Sequence, residues 1–459
     1  MTFTPREYQV RIINAQDSFI ADSSVSRATI LAATGAGKTE CFNDLIIKMF
    51  LSGERKRILI AHPRIALSQN QQRRMVSRLK GFDVEFTSFH SGQQKYHTLK
   101  DRKNVSTTGR DDLTRIMDKA EGHHITFSSY KSLAKIADMD FDLIICDEAH
   151  NLVQSDLREC LDLFQSKTLF YTGTPVNVAA QDASMDNINL FGFVVVNIPP
   201  SELIPYGYIV RPMMYFMDIK NKKIGNTPDY VTAIAEAYKQ QVSLSHEKFV
   251  HKLLVSMPAT HAFDEIMEGL NDIRNVVGNN DLDLYYVTAL TAVKNGRVMD
   301  DREALIKDFD NNINQSIIVH CDTLAEGIDV DGIGGVLIMR GLGMTKAIQT
   351  IGRAARAAKQ DIKKNGEIRK NRIKKHCVVT VAYIDGESVS DIDLEWWVNL
   401  FREAGYGDLW NYVNPTPVDR GAGAELGERN DIVFDLIQDI KFREEQDKEY
   451  EIMFEPKHA

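Results

Sequence analysis

Short apolar runs rich in β-branched residues recur along the chain, separated by longer stretches in which apolar positions return at the helical period. That alternation predicts strands and helices in turn, the pattern of an α/β protein with parallel sheets. The clearest strands are expected at 29–32, 57–61, 125–127, 142–146 and 168–171, followed by a second series at 252–256, 284–288, 316–320, 335–339 and 378–384. Two series imply two sheets. Between them Pro199, Pro200, Pro205, Gly207 and Pro212 crowd into one stretch where neither a helix nor a central strand is comfortable. The boundary is therefore expected near residue 210, with a first lobe at 1–210 and a second at 211–390. Beyond Ile384 the pattern turns helical: Trp396, Trp397, Leu400 and Phe401 share a face, and Ile432, Val433, Leu436, Ile437 and Ile440 repeat with acids between them. Residues 391–459 thus read as a helical, acidic C-terminal extension.

Length agrees with this division, since 459 residues exceed one ordinary core. Apolar content of 43% and charged content of 26% exclude a disordered or fibrous chain. No apolar run approaches the roughly 20 residues that span a bilayer, and the N-terminus lacks an export pattern, so a cytoplasmic protein without a membrane partner is expected. Cys41, Cys146, Cys160, Cys321 and Cys377 stand far apart without metal-site spacing and read as reduced core residues. The net charge of −9 argues at first against a nucleic-acid partner. Its distribution changes that picture: residues 421–459 carry −6 of it, while Lys359–Lys375 is a basic island with 8 Lys/Arg. A local patch can bind phosphates on an acidic protein, and a solvated loop is the alternative for the same residues. The same pair of readings applies to Gln93–Arg115, where His97, Lys100, Arg102, Lys103 and Arg110 are diluted by Asp101, Asp111 and Asp112.

The strongest local chemistry is Ala33-Thr34-Gly35-Ala36-Gly37-Lys38-Thr39, after an expected strand and before a helical stretch. This is a P-loop in its proper context: glycines let backbone N–H groups face phosphates, Lys38 reaches the β/γ-phosphates and Thr39 ligates Mg²⁺. Downstream, Leu143-Ile144-Ile145-Cys146-Asp147-Glu148-Ala149-His150 delivers carboxylates at the C-terminal end of a buried strand, where ligands collect in open α/β sheets. Asp147 can hold Mg²⁺ through water, and Glu148 can orient and deprotonate an attacking water. ATP and Mg²⁺ are the cofactors these residues call for.

With these motifs the chain resembles a superfamily 2 helicase of the DEAH-box kind, over residues 6–356. Arg6-Glu7-Tyr8-Gln9 resembles the adenine-reading element, Ala61-His62-Pro63-Arg64 motif Ia, Thr126–Lys131 motif Ib and Thr172-Gly173-Thr174-Pro175 motif III. Ile317–Asp329 resembles motif V, and Gln349–Arg356 resembles motif VI. Position 32 is alanine where the general P-loop has glycine, and Cys321 stands where family members often have threonine. The resemblance implies two RecA-like lobes with the ATP site in the cleft between them. It implies that Arg6, Gln9, Thr34, Gly35, Ala36 and Gly37 bind nucleotide, and that Gly327 and Asp329 approach the sugar and metal surroundings. Gln349, Arg353 and Arg356 would face the γ-phosphate, where a guanidinium stabilises charge spread over the equatorial oxygens. His150, Thr172 and Thr174 would couple the ATP site to the track, and Arg64, Ser128 and Ser129 would touch nucleic acid. The joining stretch Glu202–Pro212 resembles that of branch-migration and repair helicases of the UvsW and RadD type. The expected function is ATP-driven movement on branched or single-stranded DNA in repair, recombination or replication, in a bacterial or phage-infected cell. An RNA helicase, a restriction-type DNA translocase and an ATP-gated clamp are the alternatives.

Overall fold

The computed structural model describes residues 3–91, 104–175, 184–219, 229–244, 252–257, 266, 269–288, 291–299, 301–312, 314–321, 330, 332–356, 362–364, 367–369, 376–384 and 394–413. The chain divides between Leu203 and Ile204 into two compact units.

The first unit is built on eight strands: β1 (Arg27–Ala32), β2 (Arg57–His62), β3 (Val84–Phe89), β4 (Asn104–Thr107), β5 (His123–Ser129), β6 (Leu143–Asp147), β7 (Thr168–Thr172) and β8 (Phe193–Ile198). Their order is β4-β3-β5-β2-β6-β7-β1-β8, and every pairing is parallel. The central strands β2, β6 and β7 are buried along nearly their whole length, as expected when helices cover both faces of a parallel sheet. Leu59, Ala61, Ile144, Cys146 and Phe170 project into one core with Tyr130, Leu133 and Leu152.

The second unit carries β9 (Arg211–Ile219), β10 (Lys252–Ser256), β11 (Asp283–Val287), β12 (Ala292–Lys294), β13 (Arg297–Val298), β14 (Ser316–His320), β15 (Ile333–Ile338), β16 (Ile362–Lys364), β17 (Glu367–Arg369) and β18 (His376–Ile384). Its main sheet runs β13-β12-β11-β14-β10-β15-β18-β9, parallel except for the β11-β12-β13 meander. Asn295 and Gly296, both at positive φ, close the β12–β13 turn, the Asn-Gly chemistry that tight hairpins favour. Both units are thus the α/β folds on parallel sheets that the strand alternation predicted, with the RecA-like form that the resemblance implied.

Some elements depart from the sequence reading. The Pro-crowded stretch ends in a real strand, β9, whose Pro212 lies opposite Cys377 of β18. β9 lies at the end of the sheet order, where a missing N–H is tolerated. Strands β3, β4 and β8 were not anticipated. β8 sits at the opposite kind of edge, with Phe193 and Val194 exposed by 64% and 51%, so its apolar run reports no burial. Part of the expected C-terminal extension belongs to the second unit: Trp397 of helix Leu394–Glu403 meets Phe216 edge-on, and Met214 N donates to Tyr412 O at 2.8 Å. The apolar repeat at 432–440 lies outside the described residues, as does the region 92–103. Of the basic island, two backbone segments are described, and they pair as the antiparallel β16–β17 hairpin. No helix among the described residues is long and apolar enough to cross a membrane. Four cysteines are buried, while Cys321 is partly exposed.

Candidate active site

In the first unit the C-terminal ends of β1, β2, β6 and β7 gather most of the residues that the motifs nominate. After β1 the chain turns through Gly35 (φ 88°) and Gly37 (φ 81°), a conformation that residues with a Cβ adopt only at a cost. Helix Lys38–Leu51 starts directly afterwards, so its free N–H groups and positive end face the loop. Lys38 is buried, and its Nζ donates to the Ala32 carbonyl at 3.0 Å across the loop. Thr39 follows at the helix start. Gln9 packs on the loop from outside: its Nε2 donates to Ala36 O at 3.0 Å, and its Oε1 accepts from Arg6 N at 3.0 Å. A Cβ at Gly37 would lie 2.6 Å from Gln9 Nε2, so a larger residue would displace the Gln9 amide from the loop in addition to straining φ.

Asp147 ends β6, and Glu148 takes the left-handed conformation (φ 56°, ψ 48°) immediately after it. A non-glycine residue held there stores local strain, of the kind that concentrates at functional sites. Burial and the neighbouring Glu148 carboxylate push the Asp147 pKa up, with Lys38 pulling it down. A carboxylate so destabilised is primed for a cation, since a divalent ion removes the repulsion. Tyr130, fully buried, donates its hydroxyl to Asp147 O at 2.6 Å and ties β6 to the segment after β5.

His150 links this strand end to motif III. Its Nδ1 lies 2.9 Å from Thr172 Oγ1, 3.4 Å from Thr174 Oγ1 and 3.5 Å from Glu148 Oε2, while Asn151 Nδ2 is 3.0 Å from its Nε2. Gly173 makes the same connection through packing: a Cβ there would sit 3.0 Å from Ala32 O and 3.1 Å from Thr34 N. The carboxylate strand end is thus hydrogen-bonded to motif III, and motif III packs on the P-loop, so the three form one contiguous body.

The nucleic-acid candidates divide. Arg64 is exposed at the start of helix Ile65–Arg78. Ser128 is fully buried and its hydroxyl donates inward to Phe89 O at 3.2 Å; Ser129 is also buried, with its hydroxyl on Ser132 Oγ at 3.2 Å. In the second unit, Gln349 is buried on helix Met344–Ala354, and Arg353 and Arg356 are partly exposed at and beyond its end. The joining stretch locks onto that end: Val210 N donates to Ala355 O at 2.7 Å, and Ile209 bridges Arg356. Gly327 and Asp329 lie outside the described residues. Sequence reasoning placed His62 and Tyr130 inside the stretches resembling motifs Ia and Ib without giving either a role at the site, because the partner of each lies at the end of another strand, and it did not single out Asn151, whose amide meets Glu148 O and His150 Nε2.

Residues 2–177 match the family model described as "Type III restriction enzyme, res subunit", and residues 281–358 match the "Helicase conserved C-terminal domain". Comparison with curated protein sequences found no match. Among solved structures, the DNA-bound Type ISP restriction-modification enzyme LlaBIII is similar with a TM-score of 0.66 at 14% identity, over 95% of this chain and 33% of that one. RecG bound to a three-way DNA junction aligns with a TM-score of 0.53 at 16% identity, over 96% and 50%. Dbp5 of S. cerevisiae bound to RNA and ADP BeF3 aligns at 0.53 and 12% identity, over 94% and 94%. This chain spans a third of the length of the LlaBIII chain. Two RecA-like units, a P-loop and carboxylate strand in the first, and a restriction-subunit match followed by a helicase C-terminal match, in this order, are features the chain shares with helicases and translocases of the superfamily 2 type.

Proposed function

We propose that this protein is a Mg²⁺-ATP-dependent DNA translocase. The single observation that carries the reading is the continuous body formed by Lys38 and Thr39, Asp147 and Glu148, and His150 with Thr172 and Thr174. The donor set fits the nucleotide and the metal: a glycine-turned loop at a helix N-terminus, a buried amine and a strained, mutually repelling carboxylate pair. Mg²⁺, when bound, would be held by Thr39 and Asp147 and would neutralise charge on the phosphates. Lys38 binds the β/γ-phosphates, Arg6 and Gln9 hold the base side, and Glu148 takes a proton from the attacking water. Arg353 and Arg356, with Gln349, stabilise charge on the γ-phosphate from the second unit, and Gly327 and Asp329 complete that half. His150 then reports the state of Glu148 to motif III, and Arg64 holds the DNA backbone.

Two substrates have specific support. The res-subunit match and the likeness to LlaBIII favour movement along duplex DNA of the restriction type. The joining stretch Glu202–Pro212 and the likeness to RecG favour remodelling of forks and junctions, in which base pairs are exchanged for base pairs at little net duplex cost. ATP turnover measured at one salt concentration on linear duplex, forked DNA, a four-way junction, single strands and an RNA duplex tests both, with strand products followed in parallel. Junction-preferred stimulation with branch movement supports remodelling. Length-dependent stimulation by linear duplex without strand products supports duplex translocation, and RNA-preferred stimulation would overturn the DNA reading.

A further inference from the structure

His62 ends β2, and the parallel register that sets Ala61 beside Cys146 brings the next residue of β2 beside Asp147. Its ring is 1% exposed, its Nε2 lies 3.9 Å from Asp147 Oδ2, and neither ring nitrogen has a hydrogen-bond partner. Buried polar groups are normally satisfied, so two orphaned nitrogens on one buried ring call for a partner that arrives in another state of the site. A neutral imidazole has one N–H donor to offer such a partner. The acceptor closest at hand is the Asp147 carboxylate, and a small rotation of that side chain brings 3.9 Å down to hydrogen-bond length.

We propose that His62 is a positioning residue for Asp147: its Nε2–H donates to the Asp147 carboxylate and holds it in the orientation that receives the divalent cation. The inference rests on the reading of Asp147 as the metal carboxylate. A hydrogen bond to a ligating carboxylate fixes its rotamer, and loss of such a partner typically weakens metal binding by roughly 10- to 100-fold. His62 is therefore tied to metal affinity through Asp147.

The test uses the full chain with saturating ADP and Mn²⁺ as the probe, following free Mn²⁺ by electron paramagnetic resonance and ADP affinity without metal by fluorescence. His62→Leu fills the space without a donor. It should keep the thermal unfolding temperature and metal-free ADP affinity while raising the Mn²⁺ half-saturation about tenfold or more. His62→Gln, which returns an N–H donor, should recover most of that loss. Wild-type Mn²⁺ binding by His62→Leu would overturn the proposal, and so would a glutamine variant no better than leucine, which would leave only a packing role. Asp147→Asn separates the two levels: if it too binds Mn²⁺ like wild type, the metal reading of Asp147 fails and this inference with it. If Asp147→Asn loses Mn²⁺ and His62→Leu does not, the inference alone fails.

Discussion

The two units have the same kind of sheet and opposite chemistry at its strand ends. In the first, a buried lysine and two half-buried acids gather at the strand ends, with Glu148 in a left-handed conformation, and His150 is hydrogen-bonded to Thr172 and Thr174. In the second, the described candidates Gln349, Arg353 and Arg356 are neutral or cationic and lie on one helix and just beyond it, with Arg353 lining a small apolar cavity beside Leu254 and Ile318. A RecA-like scaffold does not by itself dictate which chemistry it carries. What differs is the first turn after a strand: Gly35 and Gly37 let backbone N–H groups face anions in the first unit, whereas β10 is followed by Met257-Pro258-Ala259-Thr260, which has no such glycines. The difference suggests a division of labour, with binding and proton transfer in the first unit and charge stabilisation in the second.

That division can be broken most visibly in the first unit. Lys38→Ala should abolish ATP turnover by removing nucleotide, whereas Glu148→Gln should stop turnover and leave nucleotide binding intact; steady-state hydrolysis and equilibrium binding of a fluorescent ATP analogue separate the two. Normal turnover by Glu148→Gln would remove the proton-transfer role. Next in size, Arg356→Ala and Arg353→Ala should each lower kcat strongly, up to roughly 10³-fold or more, with ATP affinity within about tenfold of wild type. Loss of affinity at unchanged kcat would instead make them ground-state binding groups. A smaller effect belongs to the basic island 359–375: neutralising Lys363, Lys364, Lys370 and Lys374 together should weaken DNA binding and flatten its dependence on salt while kcat at saturating DNA is unchanged. An unaltered salt slope would leave the island as a solvated segment without a nucleic-acid role.

The mildest test concerns acid stability of the first unit. His124 is buried against Thr87, 3.0 Å away, and burial lowers its pKa to about 4 from 6.5. The folded pKa lies below the unfolded one, so the contribution is complete above about pH 6.5 and is lost as pH falls towards 4. At pH 5 the expected loss is about 2 kcal/mol at most. Urea unfolding of wild type and His124→Gln at pH 7 and pH 5 measures it; the variant should lose less stability on acidification, and equal losses would locate the acid sensitivity elsewhere.

Much of the site was legible in the chain because its pieces are local. A P-loop needs a strand, a glycine turn and a helix start in immediate succession, and Thr29 to Leu51 contains all three. The carboxylates after β6 were legible for the same reason, as were the buried runs that became β2, β6, β10 and β14, since periodicity reports how fully an element is covered. It does not report which element does the covering. Hence β8 and β9, edge strands of apolar composition or with an internal proline, escaped a pattern tuned to central strands. Whether a polar side chain faces outward was equally hidden: Ser128 has the residue type for a phosphate contact, yet its hydroxyl turns inward to Phe89 O. The pairs that complete the site, Tyr130 with Asp147, Gly173 against Ala32, and His62 beside Asp147, were decided only by the tertiary structure. Each depends on parallel register between strands far apart in sequence. That register is set by the whole core rather than by the residues it brings together.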